Sequence, residues 1–229
     1  MLIPCIDLQD GRAVQLVHGR RRALAVDDVF GLLERFRGYR WLHVIDLDAA
    51  MHKGSNLALV RKLSHRAREK YGFRVRVGGG VRTVAKARSL VRAGADQVIV
   101  GSAAFRDGRI DHGFLRKLRS AIGKKRLVVA LDAEHGRIVI RGWKERLRLR
   151  SEEAMHELEP YCAAFFCTCV EREGAMRGTR LGWYRELRRA TRLPILAAGG
   201  IRSRREIRAL EKLGMDAAVG MALYRNRLS

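Results

Sequence analysis

Cysteine is scarce in this chain. The four are Cys5, Cys162, Cys167 and Cys169, and none are spaced as Cys-x-x-Cys. That argues against a zinc ribbon or a thioredoxin-type redox motif. Cys5, Cys167 and Cys169 lie in apolar, strand-like runs, where a buried free thiol is the ordinary outcome, so no metal site is expected. Proline is rarer still, at three residues, and no Pro-rich linker or low-complexity stretch divides the chain. No apolar run approaches the roughly 18 residues that span a bilayer. The opening Met1-Leu2-Ile3-Pro4 enters a strand-like run with no basic leader, so the expectation is a cytoplasmic protein with no membrane partner. Aromatic residues are few, at 7%, and no nucleic-acid-binding motif is present, which argues against a specific nucleic-acid reader. Acidic residues are outnumbered: 24 Asp+Glu face 47 Lys+Arg, for a net charge of +23. A field of that sign draws in phosphorylated metabolites and binds polyanions without sequence preference. The cations are spread along helical stretches such as Arg185 to Arg189 and Arg204 to Arg208, as on solvated helix faces, and do not gather in one tail.

What is present is a regular alternation. Short apolar runs (2–8, 41–47, 73–77, 97–100, 127–132, 163–168, 194–197 and 217–219) alternate with amphipathic stretches (26–36, 57–70, 84–91, 154–158, 184–190 and 204–213). The periodicity switches between strand and helix values throughout. Extra strands are expected at 13–17 and 137–140. A chain of 229 residues with no break reads as one domain, 1–229.

The chain also repeats itself. Val77-Gly78-Gly79-Gly80-Val81-Arg82 is echoed by Ala197-Ala198-Gly199-Gly200-Ile201-Arg202, and Gly199-Gly200 follow Gly79-Gly80 by 120 residues. Asp7-x-x-x-Gly11-Arg12 is echoed by Asp132-x-x-x-Gly136-Arg137 at an offset of 125. Val100-Gly101-Ser102-Ala103 returns as Val219-Gly220-Met221-Ala222. Two homologous halves, about 1–123 and 124–229, each of four βα units, close most simply into an α/β (β/α)8 TIM barrel. A doubly wound open sheet gives no reason for the symmetry. After the eighth strand only residues 221–229 remain. The final helix is therefore expected to be truncated, with a homo-oligomer covering the groove it leaves.

In such a barrel the chemistry sits where strands end. Asp7, Asp46, Asp132 and Glu171-Arg172-Glu173 fall there. Two carboxylates facing each other across the mouth can act as base and acid; each could equally cap a helix or pair with an arginine. The glycine loops form two sets, Gly79, Gly80, Arg82, Gly101 and Ser102 against Gly199, Gly200, Gly220 and Met221. Backbone N–H groups before a helix start favour anions, so two opposed sets fit a bis-phosphorylated small molecule. Acid–base chemistry near Asp7 and Glu173, with no cofactor, follows as the expectation. His18, His43, His52 and His135 read as packing or hydrogen-bonding residues.

The sequence resembles the phosphoribosyl isomerases of histidine biosynthesis. The likeness lies in Ile3-Pro4-Cys5-Ile6-Asp7-Leu8, Gly11-Arg12-Ala13-Val14, Leu16-Val17-His18-Gly19, Trp41-Leu42-His43-Val44-Ile45-Asp46-Leu47-Asp48, Gly78 to Arg82, Gly101-Ser102, Arg141-Gly142-Trp143, and Gly199-Gly200 with Gly220-Met221. Leu16 to Gly19 and Arg141 to Trp143 are similar to bifunctional members that also isomerise phosphoribosylanthranilate. The resemblance implies an Amadori rearrangement of phosphoribosylformimino-aminoimidazole carboxamide ribotide (ProFAR). It makes Asp7 the base and Glu173 the acid, with Gly19, Trp143 and Arg141 at the substrate, Trp143 stacking on its heterocycle. Thr168 joins the binding set, and Asp46 and Asp132 support it. Three positions depart from the family pattern: Glu173-Gly174-Ala175 replaces Asp-Gly-Thr, Thr168-Cys169 replaces Thr-Asp, and Gln15 replaces an arginine, with Arg20-Arg21-Arg22 nearby in compensation. The alternatives are a diverged relative that isomerises another phosphorylated aminosugar, and a non-catalytic barrel that binds a phosphate ligand or nucleic acid.

Overall fold

In the computed structural model, which describes residues 1–17, 19 and 21–228, eight parallel strands form a closed ring. They are β1 (Leu2–Gln9), β2 (Trp41–Asp46), β3 (Arg74–Gly78), β4 (Gln97–Val100), β5 (Leu127–Glu134), β6 (Ala164–Cys169), β7 (Ile195–Ala198) and β8 (Asp216–Val219). Each pairs with the next, and β8 returns to β1 through Leu2↔Ala217, Ile3↔Ala218 and Pro4↔Val219. Closure leaves the ring without an open edge. The outer helices follow in order: α1 (Gly31–Arg35), α2 (Leu57–Tyr71), α3 (Val84–Arg92), α4 (His112–Ile122), α5 (Ser151–Leu158), α6 (Leu181–Ala190), α7 (Arg204–Lys212) and α8 (Met221–Tyr224). The (β/α)8 barrel expected from the alternation is the observed fold. No helix among the described residues is long and apolar enough to cross a membrane.

Side chains alternate across each strand, and this produces two cores. On β2, Leu42 and Val44 join the large layer between strands and helices. Trp41 and Ile45 point instead into the ring. The ring is filled by two groups, one with Ile3, Trp41, Leu196 and Ala218 and one with Ile99, Val128 and Ala164, with Phe166 touching both. His43 stands in this filling with its ring centroid 4.4 Å from that of Phe166. Burial, and then the nearby Arg76 charge, push its pKa down to about 3, so the imidazole is neutral. This is a packing histidine. His52 lies at the surface, and His135 is an exposed partner of Glu171 at 3.9 Å; His18 lies outside the described residues.

Two antiparallel ribbons rise from the ring. β1 continues into Arg12–Val17 and then Arg21–Val26, and β5 continues into Arg137–Ile140 and then Glu145–Arg150. The second strand of each ribbon was not anticipated. Residue 26 ends a strand, and the helix expected over 26–36 is confined to Gly31–Arg35. Register explains this: Ala13↔Val26 and Val14↔Ala25 tie the segment to the ribbon before the helix can begin.

α8 is a single turn, as the short tail implied. The tail nevertheless fills much of its groove. Leu223, Tyr224 and Leu228 pack on the core. The Arg35 guanidinium donates to the Leu223 carbonyl (2.6 Å) and to Asn226 Oδ1 (2.6 Å). Met1 is the one large hydrophobic residue left exposed among those described.

The mouth is braced from outside by Tyr184 on α6. Its buried hydroxyl sits between β6 and β7, within hydrogen-bond distance of the Cys167 and Ala198 carbonyls (3.0 and 2.5 Å), and accepts from the Ala198 N–H (3.1 Å). Removing it strands buried backbone groups directly below Gly199. Tyr184→Phe is expected to lower the unfolding free energy by about 1–3 kcal/mol. Urea denaturation at unchanged m-value checks this, and an unchanged midpoint would show that the bridge contributes nothing.

Candidate active site

Three carboxylates stand at the C-terminal rim. Asp7 lies near the end of β1, in register with Ile45 of β2 and Val14 of the first ribbon. Asp132 lies near the end of β5 beside Thr168 of β6. Glu173 follows the tight turn Val170–Arg172 after β6, its N–H donating to the Val170 carbonyl (3.1 Å). All three are half-buried, and taking a carboxylate out of water favours its neutral form. Burial alone raises Asp7 to about 7. Glu173 goes to about 8, through burial first, then the charges of Asp7 and Asp132. Asp132 is also raised by burial, but hydrogen bonds from Trp143 and Thr168 pull it back. The groups are therefore electrostatic neighbours, and Asp7 and Glu173 both keep their protons to higher pH than an ordinary carboxyl, Glu173 the more so because it also feels the other two charges.

The glycine loops frame these acids with nearly twofold geometry. Gly79 and Gly80 have φ of +102° and +64°, and Gly199 and Gly200 have +101° and +75°. A Cβ on Gly79 would run into the Asp46 carbonyl, and one on Gly199 into the Cys169 carbonyl. Only glycine fits such a backbone-on-backbone approach. Each loop then feeds a capped helix. Thr83 Oγ1 accepts from the Lys86 N–H (3.1 Å), and Ser203 Oγ from the Glu206 N–H (3.3 Å). The neighbouring loops also match: Gly101 opens the turn Ser102–Ala104 at φ/ψ −103°/−115°, and Gly220 opens α8 at −105°/−90°. On the second side the structure brings acid and grip together, since Glu173, Gly199, Gly200, Gly220 and Met221 line one cavity. Backbone N–H groups at these helix starts suit phosphate oxygens.

Comparison with known proteins agrees with this geometry. The family model described as "Histidine biosynthesis protein" matches residues 1–229. The chain belongs to the histidine-biosynthesis protein family. A relative from Methanocaldococcus jannaschii is 33% identical, the match covering 98% of this chain and 94% of the relative. One from Aquifex aeolicus is 32% identical (100% and 94%), and one from Myxococcus xanthus 35% (99% and 94%). All three are named 1-(5-phosphoribosyl)-5-((5-phosphoribosylamino)methylideneamino) imidazole-4-carboxamide isomerase.

In this histidine-biosynthesis barrel the remaining candidate residues sort into distinct places. Trp143 is at the mouth: its indole N–H donates to Asp132 Oδ2 (2.9 Å), and its ring lies against Gly19, where a Cβ would collide with it. The two ribbons thus touch across the opening. Ser102 accepts from the Arg141 N–H (2.8 Å), which ties the second ribbon to the loop after β4. The Arg141 guanidinium itself points out, paired with Glu145 at 3.0 Å and 74% exposed. The Arg82 guanidinium donates to the Ala49 and Ala50 carbonyls (2.8 and 2.6 Å), in the loop after β2. Asp46 is buried and accepts from the backbone N–H groups of Ala49 and Asn56 and from Asn56 Nδ2. It organises the loop after β2. Glu171 is held below the usual carboxylate range: burial raises it, but Arg180 at 2.6 Å and further hydrogen bonds outweigh that.

Two features escaped the sequence reading. Gln15, 4% exposed, presses its amide against Gly220, and its Nε2 has no partner among the described residues. Gly174 abuts the Leu16 and Val17 backbone, so the first ribbon limits where Glu173 can move. Neither contact has a local sequence signal. Arg20 lies outside the described residues.

The shifted carboxylates have a measurable consequence. Unfolded, Glu173 ionises near its ordinary 4.5; folded, it does so near 8. Between those pH values the native state holds a proton that the unfolded chain has lost, so stability falls as pH rises. Glu173→Gln removes that penalty. The variant is expected to match the parent below pH 4 and to exceed it, on the order of 1 kcal/mol after solvent screening, above pH 8. Denaturant unfolding at the two extremes checks this; equal stability at both would mean that Glu173 titrates normally.

Proposed function

We propose that this chain catalyses the Amadori rearrangement of ProFAR, an aminoaldose, to its ribulosyl aminoketose in histidine biosynthesis. The observation that carries the reading is the cavity that Glu173 shares with Gly199, Gly200, Gly220 and Met221, together with the upward shift of Asp7 to about 7 and of Glu173 to about 8. The matching family and the names of the relatives support the substrate, which carries a phosphate at each end.

Glu173, still protonated when Asp7 has ionised, gives its proton to the ribose ring oxygen. The C1–O bond breaks, and the amine nitrogen takes up the positive charge as an iminium. Asp7 then takes the proton from C2, and the electron pair of that C–H bond neutralises the iminium to give an enol-amine. The enol relaxes to the ketone, and the protons return. Hydrogen moves within one molecule with no net oxidation, so we assign no cofactor. The phosphate grips hold C1 and C2 between the two carboxylates, and orientation of this kind supplies much of the barrier lowering. A glutamate at 173 reaches about one carbon–carbon bond further than an aspartate, and its contact-limited loop after Gly174 sets where that carboxyl arrives.

Phosphoribosylanthranilate is the second substrate we propose, on the likeness of Leu16, Val17 and Gly19 and of Arg141 to Trp143 to the bifunctional members. A non-catalytic barrel is not favoured, because a mere binder has no need of two displaced carboxylates. A homo-oligomer over the short α8 is supported only by that helix's length, against the packing of the tail on the core; light scattering decides it.

Asp7→Asn and Glu173→Gln are each expected to lower ProFAR turnover by about 10²–10⁴-fold with little change in KM. The parent kcat/KM should trace a narrow bell, rising through about pH 7 as Asp7 ionises and falling through about pH 8 as Glu173 does. Retained turnover in either variant would sink the assignment of that residue.

A further inference from the structure

At the opposite, N-terminal end of the barrel lies a second concave site. A cavity of about 300 Å³ is walled by Arg68 of α2, Arg74 at the start of β3, Val91 of α3, Asp96, and Lys125 and Arg126 in the turn leading to β5. It is far from the grips by topology, since it lies where strands begin. Four cations here face one carboxylate. Asp96 is already engaged, accepting from Arg68 (3.1 Å) and from the Val75 N–H (2.8 Å). Arg74, Lys125 and Arg126 form no ion pair among the described residues.

Cations of like sign are not usually gathered in a concavity without a counter-ion, because their repulsion is uncompensated. Here they are also held in place. The Arg74 guanidinium lies 4.3 Å from the Trp41 ring centroid, with Arg76 at 4.0 Å from the same ring. Arg76 is 6% exposed and donates through Nε to Gln97 Oε1 (2.6 Å), and its Nη1 has no partner among the described residues. Burial first, and the Arg74 charge among the lesser causes, bring it down to about 10. Gln97 in turn donates to the Lys125 carbonyl (3.2 Å), which fixes the turn that carries Lys125 and Arg126. The four cations are solvent-exposed, with the Arg74 guanidinium stacked on the Trp41 ring and the backbone of the Lys125 turn tied to Gln97.

We propose that this floor cavity binds a pyrophosphate-type anion, either free or as the oligophosphate of a nucleotide. Guanidinium forks match adjacent phosphate oxygens, and a lysine adds a point charge. A surplus of three positive charges suits a di- or triphosphate better than a monophosphate. A cavity of this size lies at the small end of ligand pockets and fits a short oligophosphate.

The test is lysine footprinting of the full chain with an amine-acylating reagent, read by mass spectrometry with inorganic pyrophosphate as the probe. At saturating pyrophosphate, Lys125 labelling should fall about tenfold by mass action, while Lys117 and Lys212 on other faces stay unchanged at matched ionic strength. Arg74→Gln and Arg126→Gln should each abolish the protection and leave isomerase activity intact. If ATP protects Lys125 at lower concentration than pyrophosphate, the source is a nucleotide; if pyrophosphate is as good or better, it is the free anion. Uniform protection of all three lysines, or protection of Lys125 that survives Arg126→Gln, would overturn the proposal. Because the readout is at Lys125, anion binding at the glycine grips does not enter it.

Discussion

The rim of this barrel is governed by the cost of ionising carboxylates that have been taken out of water beside one another. Asp7, Asp132 and Glu173 share one small region, and burial is the leading cause of the shift in each. Asp132 is relieved by Trp143 and Thr168. Among the described residues no hydrogen bond relieves Asp7 or Glu173 in this way, and Glu173 carries the added repulsion of the other two. Two chemically similar groups are therefore shifted by environment alone, and the proposed acid and base roles rest on that difference. The arrangement is destabilising at the pH where it works, and the closed ring, both cores and the Tyr184 brace must offset it.

The second constraint is steric, and it appears twice. Gly79 rests on the backbone of Asp46, and Gly199 on that of Cys169. The two contacts are equivalent, but their surroundings have diverged. Asp46 ties the loop after β2 together through Asn56 and Ala49. Cys169 occupies the corresponding place after β6 and leaves its loop to the Glu171–Arg180 pair. In the half with the structural aspartate, Asp7 is the rim carboxyl whose pKa burial raises. The half without it places Glu173 in the same cavity as Gly199, Gly200 and Gly220.

Much of this was legible in the sequence, because strands, glycine loops and helix caps are local. All eight ring strands could be read from apolar runs, and the twofold pattern from Gly79-Gly80 and Gly199-Gly200. The ribbons were half legible. Glu145-Arg-Leu-Arg-Leu-Arg150 alternates with period 2, yet only Leu147 of it is buried, so its strand character depends on a partner that the sequence does not name. Residues 21–26 became a strand through pairing with the first ribbon. Side-chain destinations were the least legible. Arg82 was expected in the binding set and Asp46 in support of it, and both make their hydrogen bonds to the loop after β2. Arg141 holds Ser102 through its backbone while its guanidinium faces solvent. The Trp143–Asp132 bond and the Gln15–Gly220 contact join segments far apart in the chain, and no motif announces them.

The central claim is that Asp7 and Glu173 titrate in that order, close to neutrality. Carboxyl-selective NMR of the protein labelled at aspartate and glutamate side chains, assigned with Asp7→Asn and Glu173→Gln, measures this directly. Two late transitions are predicted, Asp7 near pH 7 and Glu173 near pH 8, with the Glu173 step moving to lower pH when Asp7 is neutralised. Two carboxyls that both ionise in the ordinary range below pH 5, with no coupling between them, would contradict the account.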